Sequence, residues 1–410
     1  MKKYYLCLFF LIPILSVAQI TLKGSLTTGN SGTDVWEYID PNNGNVYAVI
    51  GGSGMSIIDV TDPTNPVQVE HLTSVPGFDV KVWENYVYCA TGGGGDASIV
   101  DISDPTNAVE VATFPSAHNF FIDDRGYLYT SSPGVRIYDL NADPTNPNLL
   151  TTVGSEGHDV TVRGNMMIDC HGFSGTFLYD VTDPANPILL GSITDPDITY
   201  HHQGDFSTDG NYVYICDELG NHPQADITVW DISDISNPVK VDEVADGTAT
   251  PHNLYVIDDF AYTSYYTAGL KIFDISDPSQ LVLSDSFDTN SATGEGFSGA
   301  FGVYPSSATG NIYINDSSGV YIFGFDQLSV GDNTAIEFSM YPNPADSGVK
   351  INTPNTAIES VRVYSMFGQE ILNLKDFSST SEVEIDTTSL SSGVYFVQVN
   401  DSPAKKLIVQ

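Results

Sequence analysis

The dominant pattern in this sequence is a short apolar run that ends in an aspartate and a proline-rich turn, and it recurs seven times. In the second copy, apolar runs occupy residues 78–83, 86–91, 98–103 and 108–114. β-Branched and aromatic residues fill these runs, whereas Gly, Asn, Asp and Pro separate them, which is typical of short strands joined by turns. The pattern therefore predicts four β-strands in each copy.

A marker aspartate closes the apolar run in six copies, and Gly324 takes its place in the worn seventh. In the Asp-Pro-x-Asn-Pro element that follows, proline presets φ for a turn, and Asp and Asn side chains bond nearby backbone donors. We therefore interpret the marker aspartates as turn and capping residues rather than catalytic groups. They are Asp59, Asp101, Asp139, Asp180, Asp231 and Asp274.

The spacing of the copies, roughly forty residues with four strands each, is typical of a β-propeller rather than a helical solenoid. The sequence predicts an all-β chain with a seven-bladed β-propeller over residues 19–326. Residues 20–28 form a strand with no blade of its own, and the last copy has no obvious fourth strand. We expect the N-terminal strand to complete the last blade and close the ring.

The two ends of the chain differ from the repeats. Residues 1–18 combine a basic start, an apolar stretch and a small-residue cleavage site, which predicts a secretory signal peptide too short to be a membrane anchor. No later segment is apolar for long enough to span a bilayer. Residues 327–334 form a polar linker, and residues 335–410 alternate as expected for a small C-terminal β-sandwich of the Ig-like kind.

Charge and cysteine content narrow the classes of function. The chain carries 14 basic and 52 acidic residues, a formal net charge of −38, so it repels phosphate backbones and anionic lipid. This excludes a nucleic-acid partner and agrees with a soluble extracellular protein. Cys89, Cys170 and Cys216 remain after the signal peptide, and an odd number argues against a disulfide framework. We expect buried, inert thiols.

Histidines recur where the innermost strand of a blade starts or the second strand ends. In a propeller blade these two places lie on the same rim of the channel, so the sequence predicts that distant residues meet there. Six histidines occupy such places: His118, His158, His171, His201, His202 and His252. The candidate ligand-binding rim is His118, His158, His171, His202, Gln203, Asp217, Glu218, His252 and Asn253.

Three interpretations of this rim remain open. Recurring polar residues at strand starts commonly bond loop backbone or the next blade, which would make the rim structural. Imidazoles beside carboxylates could instead hold a divalent metal, calcium or zinc, or act as acid and base. The candidate metal ligands are His158, His202, His252, Asp217 and Glu218. No sequence motif of a named reaction is present, so an enzymatic activity is not indicated.

The tail resembles the C-terminal sorting domain of the Bacteroidetes type IX secretion system. The matching motifs are YPNPADSGVKI near its start, the V-Y-x-x-x-G-Q element of residues 363–369, the block at 390–397 and the terminal K-K-L-I-V. The resemblance implies that the type IX machinery is a partner and that the protein is exported through the outer membrane, after which the tail is removed.

Residues 157–323 are similar to the choice-of-anchor B family of LVIVD-repeat proteins. The elements that match are H-Q-G, D-E-L, H-N-L-Y-V and Y-T-A-G-L. That family implies a propeller-like body attached to varied surface anchors, and it brings no established activity. We therefore expect a secreted or surface-displayed propeller that binds an extracellular protein or glycan. The alternatives are a metal-dependent hydrolase or lyase that uses the histidine rim, and an architectural surface component.

Overall fold

The structure is a computed structural model that describes residues 19–29, 32–219, 226–326, 338–354, 356–365, 370–400, 402 and 404–409. The predicted signal peptide (1–18) and linker (327–334) lie outside the described residues. All regular elements among the described residues are β-strands, as predicted, and no helix there could cross a membrane.

Residues 19–326 form seven four-stranded antiparallel sheets within the described part of the chain. Six are consecutive meanders. In chain order their strands are β2 (Val35–Ile39), β3 (Val46–Ile50), β4 (Met55–Asp59), β5 (Val67–Leu72); β6 (Asp79–Trp83), β7 (Tyr86–Ala90), β8 (Asp96–Asp101), β9 (Val109–Pro115); β10 (Phe120–Ile122), β11 (Tyr127–Thr130), β12 (Val135–Asp139), β13 (Asn148–Val153); β14 (Val160–Arg163), β15 (Met166–Cys170), β16 (Thr176–Asp180), β17 (Ile188–Ile193); β18 (His201–Phe206), β19 (Tyr212–Asp217), β20 (Ile227–Asp231), β21 (Val239–Val244); β22 (Leu254–Ile257), β23 (Phe260–Tyr265), β24 (Gly269–Asp274) and β25 (Val282–Phe287).

The seventh sheet joins the two ends of the propeller. It contains β26 (Ala300–Pro305), β27 (Ile312–Asp316) and β28 (Gly319–Asp326), and its outer strand is β1 (Gln19–Thr27). The pairing of β1 with β28 confirms that the N-terminal strand completes the last blade.

The blades are arranged in a ring. The innermost strand of each sheet (β2, β6, β10, β14, β18, β22, β26) contacts the innermost strand of the next, and β26 contacts β2. Apolar side chains of adjacent sheets pack together between the blades; Val49, Ile57 and Val82, for example, share one cluster of the first two blades. The outermost strands are mostly exposed on their outer face. The fold therefore places the starts of all seven innermost strands around one end of a central channel.

The turns after the third strands follow the sequence prediction. Each of the six marker aspartates accepts a hydrogen bond from the backbone N–H two residues later, at 2.7–2.9 Å.

The three cysteines are buried and free, and burial raises the pKa of each thiol.

The C-terminal strands form two sheets around a hydrophobic core of their own, which includes Val349, Ile351, Val363 and Leu407. One sheet contains β29 (Ser339–Tyr341), β30 (Gly348–Asn352) and β33 (Glu382–Asp386); the other contains β31 (Ile358–Ser365), β32 (Glu370–Thr380), β34 (Gly393–Val399) and β35 (Lys405–Val409). Two sheets over one core agree with the predicted C-terminal β-sandwich.

Candidate functional site

Six aromatic rings form a closed circle at one mouth of the channel. We name this circle the collar. Neighbouring ring centroids around it lie 4.0–5.8 Å apart. Its members, in order, are Phe78, His118, His158, His202, His252 and Phe301. Each comes from the start of the innermost strand in one of six successive blades, so the ring closure of the fold is what brings these residues together.

In several blades the residue one position after the strand-start residue joins adjacent blades. The Asp34 carboxylate, in the blade that lacks a collar ring, accepts a hydrogen bond from Val80 N at 3.2 Å. Asn119 Oδ1 accepts one from Val160 N at 3.3 Å. Gln203 Oε1 accepts one from Leu254 N at 2.6 Å. These contacts support the structural interpretation for this layer of amides and carboxylates, since each satisfies a buried backbone donor.

Side chains fill the channel beneath the collar. The cavity there measures only about 20 Å³, which is room for about one water molecule. Deeper still, Lys81 Nζ contacts carboxylate oxygens of Asp34 and Asp79 at 2.5 Å each, and all three residues are buried. The collar is therefore the floor of a shallow mouth, not the entrance to an open pore.

Two carboxylates contact the imidazoles of the collar. Asp159 Oδ1 lies 3.1 Å from His158 Nδ1. The Glu218 carboxylate lies 3.7 Å from His202 Nε2 and 3.9 Å from His252 Nε2. Two overlapping groups can offer ligand atoms within 4.8 Å of one another: His118, His158, Asp159 and His202; and His202, Glu218 and His252.

The imidazoles of the collar differ in protonation. Burial lowers the pKa of His202 and of His252 to about 3, so both are neutral at pH 7. Burial opposes a charge on His158 too, but the nearby carboxylates of Asp159 and Glu218 outweigh it and raise its pKa. Burial works against the charge on Asp159 as well, but the neighbouring imidazoles, with His158 in direct contact, lower its pKa. His158 and Asp159 therefore each favour the charged form of the other, whereas His202 and His252, which face Glu218, are neutral.

Four aromatic residues surround the collar on its outer side, and we name them the rim aromatics: Phe173, Tyr200, Tyr266 and Phe297. Tyr200 meets His158 edge-on at 5.0 Å, and Phe173 meets Tyr200 in the same way at 5.0 Å. Tyr266 lies 4.8 Å from His252, with Phe297 edge-on to it at 5.5 Å. Phe173 is 74% exposed and Phe297 is 61% exposed, so two large apolar faces project into solvent at the mouth.

Several residues of the predicted rim do not join the collar. His171 Nε2 lies 2.7 Å from Asp169 Oδ2, and its ring packs on Phe177 of its own blade. Asp217 accepts hydrogen bonds from the backbone of Thr199 and Tyr200, so it holds the loop before β18. Neither belongs to the two groups of possible ligands.

Two further residues of the prediction also lie in the layer beneath the collar. Gln203 is the bridge to the next blade described above, and Asn253 Oδ1 is buried with no hydrogen-bond partner among the described residues. Of the nine predicted rim residues, the structure brings together His118, His158, His202, His252 and Glu218.

Sequence reasoning overlooked the aromatic part of the site. Phe78 and Phe301 occupy the strand-start position of their blades, as the histidines do, but the search for metal-ligating and acid–base side chains passed over apolar rings at that position. Phe173 and Phe297 lie in loops, and only their exposure in the folded chain distinguishes them from core residues. Asp159, in contrast, could be found from the sequence, because it directly follows His158 in the H-D-V motif at the start of its strand.

The other end of the channel contains a second cavity of about 70 Å³. Its walls include Trp36, Tyr255 and Tyr304, with the ion pair between Arg163 and Asp205 at 2.6 Å. Arg163 ends β14 and Asp205 lies near the end of β18, and no residue of this cavity also lines the one beneath the collar, so the two cavities are distinct.

Two protein-family profiles match the chain. The LVIVD repeat matches residues 43–73, 78–115, 203–246 and 250–289. The secretion system C-terminal sorting domain matches residues 339–410. The chain therefore combines LVIVD repeats with a type IX sorting tail, and such a tail implies export to the cell surface or the extracellular space of Bacteroidetes. Membership of the choice-of-anchor B family stays a prediction.

Among solved structures, the chain resembles PorZ, an essential surface component of the type IX secretion system of Porphyromonas gingivalis. The sequence identity is 15% and the TM-score is 0.48, with 90% of this chain and 58% of PorZ covered. The chain thus spans little more than half of PorZ. No curated protein matches the sequence.

Proposed function

We propose that this exported surface protein binds an extracellular ligand at the collar mouth, and that the ligand is a glycan. In this proposal residues 19–326 form the binding body, residues 327–334 act as linker, and residues 335–410 serve the type IX machinery as the sorting tail. The observation that carries the proposal is the exposure of Phe173 and Phe297 beside the collar.

Exposed aromatic faces next to a concave polar floor are a common property of ligand sites. At this mouth the apolar faces belong to the rim aromatics, and the polar groups at the floor are Glu218 and the imidazoles of the collar. A sugar ring offers one apolar face for stacking and several hydroxyl groups for hydrogen bonding. A shallow mouth of this composition therefore suits a glycan better than a flat protein surface, which needs a larger interface of about 800 Å² per partner.

A glycan array tests the proposal. The labelled chain from Gln19 onward is compared with a Phe173→Ser/Phe297→Ser double variant. The matched control is Leu189→Ser/Leu283→Ser, because these leucines lie on outer strands and are similarly exposed, at 53% and 52%. We expect the unmodified chain and the control to bind the same glycans, and the double variant to lose at least about ten-fold in affinity, as for removal of anchoring aromatic contacts.

Two results would overturn the proposal. Equal binding by all three proteins would show that the mouth is not the glycan site. A chain that binds no glycan but captures a protein ligand, with the same sensitivity to the phenylalanine substitutions, would show that the ligand class is wrong.

A further inference from the structure

We propose that the mouth contains a site for a divalent transition metal, zinc foremost, formed by His202 Nε2, His252 Nε2 and the carboxylate of Glu218. The site goes beyond glycan binding, because it uses the floor of the mouth and needs none of the exposed phenylalanines.

The spacing of the three groups fits a metal site that has to contract slightly. The Glu218 oxygens lie 3.7 and 3.9 Å from the two Nε2 atoms. Zinc bonds of about 2.1 Å place two ligand atoms of a tetrahedral site about 3.4 Å apart. Movements of a few tenths of an ångström therefore bring Glu218 to this spacing from either imidazole, and the two Nε2 atoms themselves lie within 4.8 Å of each other.

The tautomer of His252 leaves its ligand atom free. His252 Nδ1 lies 2.8 Å from the carbonyl oxygen of Phe301. A carbonyl oxygen only accepts, so Nδ1 carries the proton, and the neutral ring directs the Nε2 lone pair toward Glu218. A lone pair that faces a carboxylate is unfavourable unless a metal ion, a proton or a water molecule lies between them, and two imidazoles with one carboxylate are a ligand set that suits a metal ion. Metal-bound histidines commonly donate their other N–H to a carbonyl or carboxylate in this way.

Glu218 is held in position from its other side. The hydroxyl of Tyr266 donates a hydrogen bond to Glu218 Oε1 at 2.5 Å. A ligating carboxylate that is itself hydrogen-bonded is typical of metal sites.

The ligand types favour zinc over calcium. Imidazoles suit zinc and its transition-metal neighbours, whereas calcium prefers six to eight oxygen ligands. Two imidazoles and one carboxylate leave a coordination position for a water molecule or a ligand group. In the other group, which shares His202, Asp159 already pairs with His158 at 3.1 Å, so we do not favour that group as the metal site.

Zinc binding by the chain from Gln19 onward, purified without a histidine tag, tests this inference. We expect calorimetric titration with zinc chloride to give one ion per chain. Affinity should fall about 100-fold in His252→Ala and about 10-fold or more in Glu218→Gln, in keeping with loss of a ligand. His171→Ala, which removes a histidine outside the collar, and His118→Ala, which alters only the other group, should bind as the unmodified chain does.

Cobalt in place of zinc gives a second readout, because its visible absorption bands report the ligand geometry directly. These bands should change in Glu218→Gln. This result keeps the inference testable even if His252→Ala does not fold. The inference is overturned if no zinc binds, if both ligand variants bind zinc normally, or if His118→Ala loses affinity as His252→Ala does. Since the Phe173→Ser/Phe297→Ser variant should still bind zinc, failure of the metal site and failure of the glycan proposal are distinguishable.

Discussion

Adjacent histidines in the fifth blade have different environments. His202 joins the collar, whereas His201 is fully buried and its Nδ1 lies 2.8 Å from Thr176 Oγ1. The pairing of β18 with β19 shifts register between His201 and Gln203, which marks a β-bulge. One extra residue changes which side chain faces the channel, because strand side chains alternate between faces. The bulge therefore selects His202 for the collar.

A single buried carboxyl group, that of Asp226, should make stability depend on pH. Burial raises its pKa from 3.8 to about 7. The hydrogen bond from the Asp246 backbone N–H and the charge of Lys271 oppose this shift, whereas the carboxylates of Asp246 and Glu295 add to it. The folded protein therefore holds this proton more tightly than the unfolded chain, and the stability it contributes is lost as pH rises from about 4 through 7.

Replacing Asp226 by Asn should remove this dependence. We expect the melting temperature of Asp226→Asn, relative to the unmodified protein, to be a few degrees higher at pH 8 than at pH 5. Thermal unfolding at both values measures it, with Glu156→Gln at an exposed site as the control. If the difference in melting temperature between Asp226→Asn and the unmodified protein were the same at pH 5 and pH 8, Asp226 would not be the source of the pH dependence.

At the scale of elements, the first two blades are connected through a buried charge cluster. Lys81 of β6 contacts Asp79 of the same strand and Asp34 just before β2, and its Nζ also lies 4.9 Å from the ring of Trp36. The ammonium outweighs burial at Asp34 and lowers the pKa of that carboxyl, whereas burial, reinforced by the Asp34 carboxylate, raises the pKa of Asp79.

Lys81→Met should destabilise the propeller by about 3–5 kcal/mol, since it leaves the buried Asp34 carboxylate without its neutralising cation. Chemical denaturation measures the change. The triple variant Lys81→Met/Asp34→Asn/Asp79→Asn should recover most of the loss, because it removes the unpaired charges together with the cation. If Lys81→Met alone were as stable as the unmodified protein, the charge cluster would not contribute to the stability of the propeller.

The strands and turns could be predicted from local patterns, because alternating apolar residues and Asp-Pro turns act within a few residues. The run at 78–83, for example, contains β6 (Asp79–Trp83). The bulges could not be found in this way. A register shift recurs between the third and fourth strands, as at Ile57/Ile58 and Ile99/Val100, where the sequence shows an uninterrupted apolar run. Such shifts depend on the partner strand.

At the scale of the whole molecule, closure depends on β1. Its pairing with β28 extends from Gln19↔Asp326 to Thr27↔Gly319. Ile20 N also donates a hydrogen bond to Asp285 Oδ2 of the preceding blade at 2.6 Å. Without β1, the last sheet would have an unpaired edge, which is a site for aggregation.

A chain that lacks residues 19–27 should unfold at a markedly lower temperature and aggregate. Adding the peptide QITLKGSLT in trans should restore part of the stability, because it can pair with the free edge of β28 as an added strand. Calorimetry with and without the peptide measures both effects. Normal stability of the shortened chain would contradict closure through β1.

Ring closure also explains how far the site could be predicted. The fold places the strand starts at one mouth, so the meeting of His118, His158, His202 and His252 followed from topology and repeat alignment. Glu218 contacts two imidazoles, and Tyr266 contacts Glu218. These contacts depend on the conformations of the loops that follow the second strands of the fifth and sixth blades. No local sequence pattern specifies those contacts.

The central claim is that the collar mouth is the ligand site of this surface protein. The most direct measurement is a crystal structure of the chain with the oligosaccharide that binds best on the array. We expect a sugar ring stacked on Phe173 or Phe297, with hydroxyl groups within hydrogen-bond distance of Glu218. An oligosaccharide bound at the far end of the channel, or on the outer strands of a blade, would contradict it.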